Sequence, residues 1–457
     1  MFYVPISYKI AYLLDKGALK MNKKFVSILL SIVLTLTLMI IITVSIFYKT
    51  NDNTLQSKNS SETAVNTATN TRSQNSISDE DKEKIKKDYI AKAQELFDKT
   101  HYKKALEVLT EALTIIPNDI ELTNLMDIAK TASEKTIIYK GDIYHVFFHS
   151  LIVYPELCFT GDSMSQGYND WMTTAREFKL MIEEMYERGY TLVDLRELFT
   201  KDASGKMVRQ DLYLPEGQKP LVISVDDMSY YKYMENDGFA KKLVLDDKGK
   251  LASLINTPEG KETIIPDGDV VPILNNFVEL NPDFSFKGAK GTLALTGYEG
   301  VLGYRTNQDN PTWQKEKEAV IPVVNKLKET GWAFASHSYT HRGTFKNRTI
   351  TLDFLKYDTQ RWKKEVESIL GPTNLFISPF GATFPLKDAR YRYLINQGFN
   401  VYCGVGASAY YELYKDSVYM ERIDLDGYKM IHNPKVMKDL FDVSKVYDPA
   451  RPVSKEK

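Results

Sequence analysis

Between Tyr144 and Cys403, short apolar runs alternate with longer stretches whose apolar residues recur every three or four positions, and that alternation restricts the fold more than any other feature. Tyr144 to His149 reads as a strand. A helix follows, in which Thr174 and Glu177 have capping-box spacing, Phe178, Met181, Ile182 and Met185 share one face, and Gly189 closes the end. Further strands are expected at 190–193, 221–225, 291–296, 375–377 and 400–403, and along the run Trp332 to Ala335 that leads into His337. Helices are expected near 312–328, interrupted by Pro322, and over 352–370, between Thr351 and Gly371. Such repetition implies an α/β fold, a parallel sheet or barrel in which ligands bind where strands end. Lys241 to Asp267, with turns at Asp246-Asp247-Lys248-Gly249 and Pro258-Glu259-Gly260, breaks the pattern and reads as a β-hairpin insertion.

The expected strand ends carry the residues with chemistry in them. Leu221 to Val225 stops at Asp226-Asp227, and adjacent carboxylates at the end of a buried strand are costly without a cation or a task. The run into Ser336 continues as His337-Ser338-Tyr339-Thr340-His341, two imidazoles four residues apart, able to aim at one ion if an anionic ligand reaches them. Leu375 to Ile377 enters a Ser378-Pro379-Phe380-Gly381 turn. Taken singly, the acids could be a solvated loop and the histidines surface residues. Their shared position at strand ends favours a joint metal.

In this chain order the three stretches resemble the motifs of the polysaccharide deacetylases, also called the NodB-homology or carbohydrate esterase 4 family: Thr-Phe-Asp-Asp-Gly, His-Ser/Thr-x-x-His and Arg-x-Pro-Tyr/Phe. The second is complete here, the first keeps both aspartates, and the third keeps its Pro-aromatic half. The resemblance runs from about Tyr144 to the C-terminus and implies a distorted (β/α) barrel of about seven strands over residues 140–457. It implies a divalent metal, zinc by default, on Asp227, His337 and His341, with Asp226 as general base and the backbone N–H of Phe380 on the oxyanion. For the general acid it implies a histidine near the C-terminus, and Met430-Ile431-His432 is the candidate. His149 is an alternative site-lining residue. Two departures stand out: Ile377 replaces the family's arginine that orients the base, and Met228 replaces a glycine. Arg422 or Arg305 could support Asp226 instead. Tyr230, Tyr304, Arg305 and Pro379 are assigned to substrate, with Tyr231 and Gly297-Tyr298 nearby in sequence, although a chain with 29 tyrosines will place some beside any cleft.

The N-terminal third has a different character. Phe25 to Phe47 contains no charged residue, long enough at about 1.5 Å per residue to cross about 30 Å of hydrocarbon. Lys16, Lys20, Lys23 and Lys24 precede it, so residues 1–24 are expected in the cytoplasm, 25–48 as a transmembrane signal anchor, and the rest outside the cell membrane. The rival reading is a cleaved signal peptide, but no small-x-small cleavage site follows. Met21 also looks like a start, leaving residues 1–20 as an upstream extension. The Ser/Thr/Asn-rich stretch over 49–79 is expected to be a disordered linker. Residues 80–135 resemble a single tetratricopeptide repeat, through Ala93, Tyr102, Ala105, Ala112 and Pro117: a helical hairpin that acts as a spacer or receives a protein partner. A formal net charge of −1 gives no reason to expect nucleic acid as a partner. Cys158 and Cys403 read equally as buried thiols or a bridge.

The expected function is metal-dependent removal of N-acetyl groups from a cell-surface polysaccharide, peptidoglycan or another N-acetylglucosamine polymer. The alternatives are an O-acetyl esterase, and a surface glycan-binding or assembly protein whose site is weak or silent, motivated by the missing arginine.

Overall fold

The computed structural model describes residues 78–98 and 102–452. The expected cytoplasmic segment, the anchor and nearly all of the linker lie outside the described residues. No described helix is long and apolar enough to cross a membrane.

Three helices open the described chain: α1 (Asp79–Asp98), α2 (Tyr102–Ile115) and α3 (Ile120–Glu134). Their shared core is built of Ala93, Ala105, Ala112 and Ala129 around Leu109 and Leu122, small side chains that let helix axes approach closely. Asp119 caps α3 by accepting the N–H groups of Glu121 and Leu122, which ends the turn that Pro117-Asn118 begins.

The alternation in the sequence then becomes a sheet of nine principal strands: β1 (Tyr144–Phe148), β2 (Tyr190–Leu192), β3 (Lys219–Val225), β4 (Thr292–Leu295), β5 (Ala333–Ser336), β6 (Leu375–Ile377), β7 (Val401–Cys403), β8 (Val418–Met420) and β9 (Ile423–Asp424). Neighbours run β8-β7-β6-β5-β4-β3-β1-β9, all parallel, with β2 beside the first half of β3 and the short strand Tyr411–Leu413 antiparallel on the outer edge of β8. β8 and β9 therefore sit at opposite ends of the order, yet only Glu421 and Arg422 separate them. Three Cα steps span at most about 11 Å, whereas the ends of an open sheet of this width stand about 30 Å apart at about 4.8 Å per strand. The sheet must curl until its ends nearly meet. With β8 and β9 counted as one broken strand, the ring contains seven, the number the resemblance implies.

Strand periodicity separates two cores. Val222, Ala294, Ala335, Leu375, Ile377, Val401, Cys403, Val418 and Met420 belong to one cluster inside the ring, while Leu221, Ile223, Val225, Leu293 and Leu295 pack against the surrounding helices. Those helices are α4 (Ala175–Glu187), with its Thr174/Glu177 capping box in place, α5 (Val270–Leu280), α6 (Trp313–Glu329), which contains Pro322, and α7 (Leu352–Trp362). The stretch read as one helix to Leu370 continues from α7 through a wider π turn at Lys363–Glu367. The expected hairpin insertion is a three-stranded antiparallel sheet, Ala240–Leu245, Leu251–Asn256 and Glu262–Ile265, because Pro258-Glu259-Gly260 makes a second turn back rather than an exit. Cys158 and Cys403 are buried free thiols, so no bridge forms between them.

Candidate metal and hydrolytic site

Following β3 inward by twos gives Val222, Ser224 and Asp226, so the sheet's own alternation delivers Asp226 to the upper end of the ring interior. The same count along the closing strand gives Val418, Met420 and Arg422. The two meet in a fork. Arg422 Nη1 and Nη2 donate to Asp226 Oδ1 and Oδ2 at 2.7 and 2.9 Å, and Nη1 also reaches Ser224 Oγ at 3.2 Å. The guanidinium lies 4.1 Å from the centre of the Phe147 ring, and Arg422 is 1 % exposed. Burial by itself would raise the Asp226 carboxyl, but the Arg422 charge and fork outweigh it and hold the group well below the usual carboxylate range. Asp226 is therefore ionised and fixed in orientation.

Asp227 faces a different set. Its backbone is left-handed (φ 57°), and its Oδ1 accepts the Tyr231 hydroxyl at 2.5 Å. The ligand atoms of Asp227, His337 and His341 all lie within 4.8 Å of one another, with His341 Nε2 4.0 Å from Asp227 Oδ2. Ligands of a tetrahedral ion stand about 3.3–3.6 Å apart, so side-chain movements of about 1 Å would seat one. His337 meets the other requirement. Its Nδ1–H donates to the Ile377 carbonyl at 2.7 Å, which fixes the tautomer and leaves Nε2 with a free lone pair. Burial pushes its pKa down, keeping the ring neutral near pH 7. The donor set fits a divalent cation of zinc type.

The loop bearing both histidines is held from behind. Asp358 on α7 accepts the N–H groups of Tyr339 and Thr340 and the Thr340 hydroxyl, and the π turn brings Glu365 to the Tyr339 hydroxyl at 2.7 Å. Of the ten described non-glycine residues with positive φ, five are Asp227, Tyr230, Ser338, His341 and Phe380, all in loops at the upper end of the strands. Each costs of order 1 kcal/mol, and such concentration is common where side chains must converge.

His149 continues the inward count of β1 (His145, Phe147, His149). It is half-buried, its Nδ1 has no partner, and its ring is an electrostatic neighbour of Asp226, Asp227 and Asp426. His432 is placed differently. It is exposed on α8 (Gly427–His432) with its ring 4.4 Å from that of Tyr428, and among the described residues no hydrogen bond or ion pair ties it to the aspartates.

Other expected site residues divide. Phe380 is half-exposed, with its ring 4.3 Å from that of His341, and Pro379 is buried in the turn beneath it. Tyr230 is not brought to the groove: it is 2 % exposed and part of the outer core. Tyr304 is also buried, under Lys242 of the insertion. Arg305 holds the loop together by donating to the carbonyls of Ser229, Tyr230 and Glu299, so its fork is used within the fold. Tyr231 was named only for its place in sequence, yet it joins the ligand set to a stack of rings, 5.1 Å from Tyr298 and 5.8 Å from Tyr233.

No model of a known protein family matches this chain, and no curated protein does. Among solved structures, the deacetylase domain of BpsB from Bordetella bronchiseptica aligns with 63 % of this chain and 99 % of its own length, at 11 % identity and a TM-score of 0.33. A family 4 carbohydrate esterase from Streptomyces lividans, in complex with acetate, aligns with 38 % and 78 % respectively, at 14 % identity and a TM-score of 0.22.

Proposed function

We propose that this chain is a metal-dependent hydrolase that removes N-acetyl groups from an amino-sugar polysaccharide outside the cell, held near the membrane by residues 25–48. The observation that carries the reading is the convergence of Asp227, His337 and His341 beside an Asp226 locked by Arg422, with Asp226 Oδ2 3.9 Å from His337 Nε2. A divalent ion on the three ligands would supply Lewis-acid activation of water and of the acetyl carbonyl. Asp226 is ionised and oriented, so it takes the proton from the attacking water. His149 faces the aspartates from β1 and returns a proton to the departing amine nitrogen as the carbon–nitrogen bond breaks. The Phe380 turn, against His341, supports the forming oxyanion through its backbone N–H. An acetyl ester would be cleaved by the same set of groups. The silent-site alternative drew on the missing arginine, and Arg422 supplies that contact from the other end of the domain.

The test is acetate release by the full chain in detergent, given acetylated chito-oligosaccharides or peptidoglycan, with chelation and zinc add-back. Activity is expected to vanish on chelation and return with zinc, and Asp226→Asn should retain the metal while losing at least about a hundredfold in rate. Acetate release that survives chelation would sink the reading.

A further inference from the structure

The residue singled out as an acid and then found elsewhere points to a second feature. His432 lies on a stack of rings. Trp171 and Tyr428 have ring centres 5.5 Å apart and planes inclined by 21°, and the His432 ring follows Tyr428 at 4.4 Å. Trp171 is 51 % and Tyr428 38 % exposed, so two large rings from distant parts of the chain are ordered against each other and left open to water.

Their position is set by the barrel. Trp171 lies in the connection from β1 to α4 and Tyr428 in the segment after β9, and β1 and β9 are parallel neighbours. Both connections leave the upper ends of their strands, the rim that bears Asp226, His149 and the metal ligands. The order of strands around that rim is β9, β1, β3, β4. The Trp171–Tyr428 stack therefore belongs to the first two, the Tyr231–Tyr298 stack to the last two, and His149 and Asp226 lie between.

The stack is also held in place. Buried Arg451 donates to the Asn169 carbonyl, to Asn169 Oδ1 and to the Met172 carbonyl on either side of Trp171. Thr173 Oγ1 donates to the Leu425 carbonyl at 2.5 Å, tying the two segments together. Gly427 permits the approach, since a Cβ there would run into the Asn169 carbonyl. Tyr428 lies between the Trp171 and His432 rings and backs one face of the indole, so the flat, rigid surface left open is the other face of Trp171, which suits a ligand with an apolar C–H face and polar edges. A pyranose ring is such a ligand, since its axial hydrogens meet the negative face of the π system while its hydroxyls stay in water. Rigidity beforehand lowers the ordering cost of binding.

We infer that Trp171, held flat from behind by Tyr428, forms a pyranose-stacking subsite on the rim, which receives a sugar unit of the polysaccharide at a distance from the unit being deacetylated. This rests on the proposed activity for the identity of the polymer, not for the sugar contact itself. The experiment is calorimetric titration of full-length Asp226→Asn protein with chitobiose and chitopentaose, repeated with Trp171→Ala and Tyr428→Ala added, and with Trp171→Phe as a control for folding. Each alanine is expected to weaken chitopentaose about tenfold and chitobiose less than twofold, while the phenylalanine stays within about threefold of the parent. Equal pentasaccharide affinity with and without Trp171 overturns the subsite, as does an equal loss for both sugars. Acetate assays on the unmutated chain separate the two readings: length-dependent binding without acetate release leaves the subsite standing and removes the enzyme, and acetate release with unchanged binding in both alanine variants does the reverse.

Discussion

Two pairs of aspartates lie at the upper ends of the strands that flank β1. Asp226 and Asp227 end β3, while Asp424 and Asp426 end β9, and both pairs are largely buried. Both members of the first pair are held below the usual carboxylate range, Asp226 by the Arg422 fork and Asp227 by its place among the imidazoles and by the Tyr231 hydroxyl it accepts. The second has no such fork. Asp424 Oδ1 and Asp426 Oδ2 are buried without partners, and burial together with each carboxyl facing the other pushes Asp424 well above the carboxylate range. Burial likewise raises Asp426, against the N–H of Lys429 that it caps and the nearby His149. One residue type in one kind of place is thus a fixed anion on one side of His149 and a proton holder on the other. Where the buried cation stands decides between them.

Removing that cation should have the largest effect. Arg422→Ala leaves Asp226 buried and unpaired, so urea denaturation at pH 7 should show a loss of about 3–5 kcal/mol. Asp226 has a depressed pKa, so its contribution is present above the unfolded carboxylate value and lost as pH falls through the folded one. The variant should therefore depend less on pH at the acid end. A loss below about 1 kcal/mol would break the contrast between the pairs.

A third buried carboxyl sharpens it. Asp269 accepts the N–H groups of Leu151 and Val270, has no cation, and is pushed up by burial to about 6. A raised folded pKa gives stability that is complete below the unfolded value and lost as pH rises through the folded one. The Asp269 contribution should therefore fall by about 2 kcal/mol between pH 4 and pH 7, and the stability of Asp269→Asn should fall less than the parent's by that amount, whatever the other raised carboxyls add to both proteins. Parallel stability curves for the two proteins would refute it.

The smallest effect is expected at Asp424→Asn. The pair already carries a proton, so the amide should change stability at pH 7 by less than about 1 kcal/mol, in contrast to the loss at Arg422. A destabilisation as large as that of Arg422→Ala would show Asp424 to be an anion with a partner, and the comparison would fail.

Asp226, Asp227, His337 and His341 were legible because apolar runs ended on them and because their spacing suits a metal. The strand that closes the barrel was not. Its inward positions read Val418, Met420, Arg422, Asp424, and polar residues in strict alternation look like an exposed loop until the interior of a ring is known to receive them. That count of two, extended from β1, would also have placed His149 beside Asp226. The core position of Tyr230 and the loop-bound fork of Arg305 were not legible for another reason. Left-handed backbone at Asp227 and Tyr230 resets the direction of the following side chains, so counting outward from a strand end fails within a few residues. The aromatic content could not separate Trp171 and Tyr428 from rings that fill the core, since their pairing depends on two segments that meet only in the folded ring.

Arg422 stands in the two-residue gap where the ring of strands closes, 196 positions after the carboxylate it grips. During synthesis Asp226 emerges long before its guanidinium partner, and the ring cannot shut until the later segment arrives. Closure of the sheet and locking of Asp226 are therefore one event, so a nascent or clipped chain lacking the region around 418–424 can possess every metal ligand and still have no oriented base. The molecule reaches chemical competence last, when its architecture is complete.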